Sequence, residues 1–159
     1  MNTKIITDNQ ELIAIIANSQ VCNVAFVDGE LPYVLPFNFG FHDGSIYLHS
    51  AKEGRKIDIL KKNNNVCISF QKDEGIKFQD EKVACSYSMY FKSVLVTGKV
   101  EFIEDFKDKV DAMNIVMKQY TGKVFDYNTP AIDNVCIMKI KIDKITGKNR
   151  GCKPESKKI

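Results

Sequence analysis

Two Asp-Gly dipeptides divide the first third of this 159-residue sequence into three β-rich runs. The runs are residues 21–27, 31–41 and 45–49, and the dipeptides Asp28-Gly29 and Asp43-Gly44 lie between them. Asp-Gly between apolar, β-branched segments is a strong signal for the two-residue turn of a β-hairpin. Because a hairpin places its two strands side by side in opposite directions, these runs predict a three-stranded antiparallel meander.

The rest of the chain adds further strands. Residues 66–70 and 94–102 are rich in apolar and β-branched residues, and 135–142 alternates between apolar and charged residues in its second half. This composition and alternation are typical of strands. Residues 84–91 also resemble a strand, whereas the polar stretch 71–83 is predicted to be a loop.

Three segments have helical patterning. Residues 8–18 begin with the spacing of a capping box and continue with apolar residues at helical intervals. A short helix is predicted to begin at residue 54 or 55, and a longer one to run from about residue 105 to the Thr121-Gly122 pair. The prediction is therefore a mainly β fold with peripheral helices: one domain over 1–159, with six or seven antiparallel strands closed or partly closed into a barrel and a basic tail at about 147–159.

Charge and cysteine content exclude several functional classes. The 23 basic and 20 acidic residues give a net charge of +3, too weak a field to predict nucleic-acid or lipid binding. Only residues 144–158 are clearly basic, and they are interpreted as a solvated terminus, with an anion contact as the alternative. No membrane span is predicted. The five cysteines form no CxxC pair, which favours reduced thiols in a soluble, cytoplasmic protein and predicts no metal site.

The segment 46–56 has the pattern of a phosphate site. A β-rich run ends at Ser50, a turn of small and polar residues follows, and a predicted helix begins with the adjacent cations Arg55 and Lys56. Backbone N–H groups at a helix start attract anions, and an Arg fork, a Lys point charge and a Ser hydroxyl complement a phosphate. The alternative is an exposed helix start with surface cations.

The order of the segments resembles the pyridoxamine 5′-phosphate oxidase-like flavin-binding family, particularly its nitroimidazole-resistance branch. The resemblance runs through residues 22–27, 32–40, 46–60, 65–68 and 93–101, and so covers nearly the whole chain. It implies an FMN-binding split β-barrel. It also implies a homodimer with the flavin in a cleft between the two subunits.

The resemblance assigns cofactor-binding roles to individual residues. The phosphate would be held by Arg55 and Lys56 with help from Ser50, and the ring would be lined by Leu48 and His49. Ser93 would approach the ring from the long strand, with Lys92 as a weaker candidate. The strand that would run beside the isoalloxazine, offering backbone hydrogen bonds, comprises Val34, Leu35, Pro36, Phe37 and Asn38.

The expected function is FMN-dependent reduction of a small molecule such as a nitro-aromatic compound, with a reduced nicotinamide or a small redox protein as electron donor. His49 is the candidate catalytic residue, as a hydrogen-bond or proton donor, with a structural role as the alternative. Residues 147–154 lack the tryptophan and the Arg-x-His element of the true oxidase, so pyridoxamine phosphate oxidation is not expected.

Other interpretations stay open at this point. The barrel could serve without turnover as a flavin carrier, a sensor or a sequestering module, and a deazaflavin or haem could replace FMN. Tyr87, Tyr90 and Phe91 could form an aromatic wall over the ring or simply pack. A nucleophilic Cys85 or Cys152 has little support, since neither has a nearby histidine in the sequence.

Overall fold

A computed structural model describes residues 3–152 of the protein. Its secondary structure comprises eight strands, four α-helices and a short 3-10 turn at Ala84–Ser86. In chain order the elements are β1 (Thr3–Ile6), α1 (Asn9–Ala17), β2 (Cys22–Asp28), β3 (Leu31–Phe37), β4 (Phe39–His42), β5 (Ser45–Ser50), α2 (Arg55–Lys62), β6 (Asn65–Lys77), β7 (Ser88–Ile103), α3 (Phe106–Thr121), α4 (Thr129–Asp133) and β8 (Cys136–Arg150).

The predicted helix boundaries are confirmed by the observed caps. Asp8 accepts a hydrogen bond from the Gln10 backbone N–H at 2.9 Å and begins α1. Asp105 does the same for α3, and Gly122 ends that helix in the left-handed conformation with φ of 69°. Side-chain oxygens here satisfy backbone donors that the first helical turn leaves unpaired.

All strand pairs are antiparallel, and the sheet order is β3-β2-β6-β7-β8-β5-β4, with β1 added to β8. The two edge strands, β3 and β4, are consecutive in sequence and separated only by Asn38. The ring of Phe39 on β4 meets that of Phe70 on β6 at 5.0 Å, although three strands lie between these two in the sheet. The sheet therefore curls around its own core, which confirms the predicted split barrel.

Alternate residues of the central strands fill the barrel interior. Val24, Ile68, Val96 and Ile140 are fully buried, while their sequence neighbours are directed outward. Helix α1 packs against β6, β7 and β8. An added Cβ on Gly147 would lie only 2.3 Å from the Leu12 side chain of α1, so glycine favours the close approach of the helix to β8.

The strands are longer than the sequence patterns indicated. β6 continues to Lys77 through a segment predicted to be a loop, with a register shift between Lys72 and Gly75, and it pairs along its length with β7. Cross-strand hydrogen bonding therefore keeps polar residues in strand conformation where their composition favours a loop. The count of eight strands, against six or seven predicted, includes β1, for which no strand was predicted.

The predicted tail is wrong for its first residues. Residues 144–150 form the second half of β8, where Gly147 to Arg150 pair with β1 on one side and with β7 on the other. Two ladders of backbone hydrogen bonds hold this basic segment in the sheet despite its charge. The remainder of the predicted tail, 153–159, lies outside the described residues. Over residues 3–152, no helix combines the length and apolar character needed to cross a membrane.

Candidate functional site

Arg55 is the first residue of α2 and forms the best-defined polar contact of the predicted site. Its Nε and Nη2 both donate to Oδ2 of Asp28, at 3.0 and 2.9 Å, and its guanidinium lies over the Tyr33 ring at 4.4 Å from the centroid. The Arg55 side chain remains 54% exposed, and the Asp28 side chain 35%. The guanidinium is therefore oriented at the rim of the barrel with much of its surface open to an anion.

Ser50 and Lys56 lie at the two ends of the turn that precedes α2. The Ser50 hydroxyl donates to the Ala51 carbonyl at 2.8 Å, and Ser50 pairs with Cys136 across the sheet. Lys56 is half-buried and close enough to influence the charge state of the Cys136 thiol. No side chain caps the first turn of α2, so its N–H groups face the turn. Arg55 and Lys56 are thus adjacent at the start of α2, and Ser50 ends the strand that leads into the same turn.

His49 occupies the sheet face opposite the barrel interior. Leu48 is 1% exposed and packs in the core, and side chains alternate along a strand. An added Cβ on Gly40 would meet α3, and Gly40 pairs with Tyr47, so Tyr47 and His49 share the face that α3 covers. The His49 Nδ1 is buried without a hydrogen-bond partner, and burial lowers the pKa of the imidazole.

An orphaned buried nitrogen of this kind calls for an explanation, because buried polar atoms are nearly always paired. Among residues 3–152, the only other buried side-chain nitrogen or oxygen without a hydrogen-bond partner is the Tyr127 hydroxyl. A neutral imidazole carries one N–H and one lone pair, so Nδ1 can accept or donate a hydrogen bond according to the tautomer. His49 is therefore a group with hydrogen-bonding capacity that the chain itself leaves unused.

Strand β3 is an edge of the sheet and pairs with β2 alone among the described strands. Proline lacks an N–H, so Pro32 and Pro36 fit where the backbone is directed away from β2. The Val34 backbone has the same orientation. Its N–H is therefore a donor on this open edge, between carbonyl groups that can accept hydrogen bonds. The alternation of one donor with several acceptors complements the polar edge of an isoalloxazine, which carries both kinds of group.

Side chains along this strand divide between the two faces. Leu35 is half-buried and Phe37 is buried against the core, where Phe37 contacts the Phe26 ring. Val34, Pro36 and Asn38 are directed outward and exposed. Leu48 and Phe37 thus contribute to any flavin site through backbone and packing, whereas the outward residues could contact a ligand directly.

Lys92 and Ser93 lie farther away along the sheet. The Lys92 side chain is 2% exposed, with its Nζ 3.2 Å from Glu11 Oε1 and 3.9 Å from Asp73 Oδ2. Lys92 on β7 pairs with Lys72 on β6. Arg55 instead contacts Asp28, the last residue of β2, at the opposite end of the barrel. Ser93 is half-buried on the outer sheet face. The structure does not bring either residue to the Arg55 turn within one chain.

A sizeable cleft lies on the outer sheet face. It encloses about 600 Å³ between the β2–β3 hairpin and the outward residues of β6 and β7, within the range of a small-molecule site. None of the predicted site residues lines it. Its walls include Ala25, Val27, Leu31, Cys67 and Thr97. Residues 3–152 contain no group of three or more His, Cys, Asp or Glu side chains that could hold a metal ion.

Residues at the helix start and the β3 edge fit a flavin nucleotide. Cations and helix N–H groups suit the phosphate, and the Val34 N–H with its neighbouring carbonyls suits the polar ring. Two contributors, Asp28 and Tyr33, were not predicted as site residues. Asp28 had been interpreted only as part of a turn, and its contact with Arg55 spans 27 residues. No local pattern could have indicated that pairing.

Comparison with known proteins finds similar solved structures and a matching sequence family. Among curated proteins, none matches the sequence. A candidate 5-nitroimidazole antibiotic resistance protein of Bacteroides thetaiotaomicron has a similar solved structure at 44% identity, with a TM-score of 0.84 over 93% of this chain and 87% of that one.

Two more distant structures share the fold. An FAD- and heme-binding protein of Mycobacterium smegmatis is 16% identical, with a TM-score of 0.82 over 96% of this chain and 76% of that one. An FAD-binding protein of Mesorhizobium loti is 19% identical, with a TM-score of 0.69 over 95% and 100%. Residues 8–149 match the sequence family described as pyridoxamine 5′-phosphate oxidase, and the chain therefore belongs to that family.

Proposed function

We propose that the protein is an FMN-dependent reductase of small molecules such as nitro-aromatic compounds. The observation that carries the proposal is the α2 start, where Arg55 and Lys56 are adjacent, no side chain caps the first helical turn, and Ser50 ends the strand that leads into it. The 44% identity to a candidate nitroimidazole resistance protein supports the choice of substrate class. Bound FMN would supply the redox chemistry, accepting electrons from a reduced nicotinamide or a small redox protein and passing them to the substrate.

The residues of the chain itself would bind the flavin and orient it. Arg55 would form charge-assisted hydrogen bonds to the phosphate while Tyr33 holds its guanidinium in place. The Val34 N–H would donate to the ring edge. His49 would use its unpaired Nδ1 toward the ring or the substrate, and the lowered pKa keeps the imidazole neutral near pH 7.

A homodimer is part of the proposal, because the outer sheet face is apolar and uncovered in the single chain. Val27, Val34 and Leu95 are 45%, 54% and 46% exposed on this face. Exposed apolar side chains on one sheet face are typical of an interaction surface. Burying it against a second copy would enclose the 600 Å³ cleft. A cytoplasmic location is also proposed, since all five cysteines are free.

The decisive experiment combines cofactor identification with rapid kinetics. Mass spectrometry of the ligand extracted from purified protein, and titration with FMN, would establish whether a flavin binds. Stopped-flow mixing of the reduced protein with a nitroimidazole should then reoxidise the flavin rapidly. A protein that neither retains nor binds FMN would refute the proposal, and light scattering of the Leu95→Glu variant would test the dimer.

Binding without turnover is the second candidate function. The burial of His49 Nδ1 favours it, because a catalytic proton donor normally needs a path for its proton to be replaced. The same fold occurs in a protein that binds both FAD and heme, so a deazaflavin or haem is a further possibility for the barrel. Slow, substrate-independent reoxidation of bound flavin would support a carrier or sensor.

A further inference from the structure

A second cationic cavity lies on the other flank of α2. Residues in a helix are about 100° apart, so Ile57 and Lys61 lie on roughly the opposite side of the helix axis from Arg55. The cavity has a volume of about 260 Å³ and opens between α2 and the junction of β7 with α3. Its lining residues are Lys52, Ile57, Lys61, Phe102, Ile103, Glu104, Lys109, Val135 and Cys136.

Lys109 is the central feature of this cavity. Its side chain is 7% exposed, and its Nζ lies 3.7 Å from Glu104 Oε2, on a side chain that is 84% exposed. An ammonium group is costly to bury unless an opposite charge compensates it closely. A solvent-exposed carboxylate at this separation compensates only in part, so the site has capacity for a further anion.

The other charged residues that line the cavity increase its capacity to bind an anion. Lys52 and Lys61 also line the cavity, so three lysines face one glutamate. The Cys136 thiol does not offset them, because burial, with the Glu104 charge, raises its pKa and keeps it neutral. A cavity with this positive excess and partly apolar walls concentrates small anions.

We propose that this cavity binds a phosphate-sized oxyanion, separately from the flavin phosphate assigned to Arg55. The volume admits a tetrahedral oxyanion with several waters, each of which occupies roughly 30 Å³. Lys109 would contribute the buried charge, and Lys52 and Lys61 the solvent-facing ones. The Cys136 side of the cavity adjoins Ser50, which pairs with Cys136 across the sheet. The site therefore lies directly behind the turn 51–54, which precedes Arg55 and its proposed phosphate contact.

Two sources could supply such an anion. One is free inorganic phosphate or a phosphorylated small molecule, and this form does not depend on flavin binding. The other is the distal phosphate of a dinucleotide flavin, and this form rests on the proposed function. Both share the same chemistry at Lys109, and they differ in whether the anion is tethered to the ring.

Alkylation of Cys136 provides a direct measurement, because its thiol lines the cavity. The full-length protein, with and without FMN, is treated with iodoacetamide over a series of inorganic phosphate concentrations at constant ionic strength. Peptide mass spectrometry follows Cys136, with the exposed Cys85 as internal control. We expect phosphate to slow alkylation of Cys136 and to leave Cys85 unchanged. The protection should disappear in Lys109→Met and persist in Lys107→Met, an exposed lysine on the same helix.

Affinities for FMN and FAD distinguish the sources. A loss of about 10-fold or more in FAD affinity on Lys109→Met, with FMN unaffected, would identify the distal phosphate as the anion. Phosphate protection with no FAD-selective loss would identify a free oxyanion. If neither phosphate protection nor an FAD-selective loss is seen, the proposal is overturned, whether or not the protein binds FMN. The double variant Lys52→Met/Lys61→Met, altered only at exposed positions, serves if Lys109→Met fails to fold.

Discussion

One carboxylate oxygen of Asp28 accepts two hydrogen bonds from Arg55, at 3.0 and 2.9 Å, and so holds the guanidinium over the Tyr33 ring. The pair joins the end of β2 to the start of α2 across 27 residues of sequence. Because both side chains are well exposed, the ion pair adds little to stability. Its main consequence is electrostatic: Asp28 places a negative charge beside the cation that is proposed to hold a phosphate.

Asp28→Asn should therefore strengthen FMN binding. The amide still accepts a hydrogen bond from Arg55, but it no longer repels the phosphate, and a unit charge a few ångströms away at the surface changes affinity by roughly 2- to 5-fold. Fluorescence titration with FMN measures the change, and riboflavin, which lacks the phosphate, should bind as before. Weaker FMN binding in this variant would mean that Asp28 positions Arg55 more than it competes with the ligand.

Arg55→Ala should weaken FMN binding by about 1.5–3 kcal/mol, the scale of a hydrogen bond to a charged group. Riboflavin affinity should change much less, because the lost contact is to the phosphate. Lys62→Ala, at the exposed far end of the same helix, is the matched control and should bind both ligands normally. Equal losses for FMN and riboflavin would place Arg55 away from the phosphate.

Some parts of the fold and of the candidate site could be predicted from the sequence, and others could not. Asp-Gly turns and helix caps act over a few residues, so the two hairpins β2–β3 and β4–β5 and the starts of α1, α2 and α3 were predictable. The three-stranded meander was wrong, because the run 31–41 breaks at Asn38 and its two halves lie at opposite edges of the sheet. Strand β1 was not, because its pairing with β8 joins opposite ends of the chain and Ile6 alone among its four residues is buried. Arg55 was found through its turn, whereas Asp28 and Lys109 acquire their roles only from long-range packing.

His49 should make stability depend on pH. Burial lowers its pKa in the folded state, so between its ordinary value near 6.5 and that lower value the unfolded chain binds a proton that the folded chain does not. Stability is therefore complete above about pH 6.5 and falls as the pH drops toward the folded-state pKa, by at most about 1.4 kcal/mol per pH unit. Urea unfolding between pH 7.5 and 5 should show a shallower decline for His49→Gln than for the wild type. His42→Gln, altered at the exposed histidine, should retain the wild-type slope.

Glu11→Gln tests the role of Lys92. The Glu11 carboxylate lies 3.2 Å from the buried Lys92 Nζ, closer than the Asp73 carboxylate at 3.9 Å. Its removal takes away one of the acidic groups that compensate the ammonium. Since Glu11 is partly exposed, we expect a loss of about 1–3 kcal/mol in urea unfolding, below the full cost of breaking a buried pair. Lys92→Met in the same assays separates two roles: a structural lysine changes the unfolding midpoint and leaves FMN affinity intact, whereas a cofactor-binding lysine lowers FMN affinity.

Tyr120→Phe should loosen the attachment of α3 to the barrel edge. The Tyr120 hydroxyl accepts from the Phe39 N–H and donates to the Gln20 carbonyl, both at 2.9 Å, so one group joins α3 to β4 and to the residues after α1. Its removal leaves the N–H of a fully buried Phe39 without that acceptor, which costs about 1–3 kcal/mol. Urea unfolding measures the loss, and hydrogen exchange of the Phe39 amide should accelerate while amides in the β6–β7 ladder change only with global stability. Tyr87→Phe is the control, because its hydroxyl bonds only the exposed Glu81 carbonyl and its loss should be close to neutral. An unchanged Phe39 exchange rate would show that β4 is held by the sheet and by Gly40 packing alone.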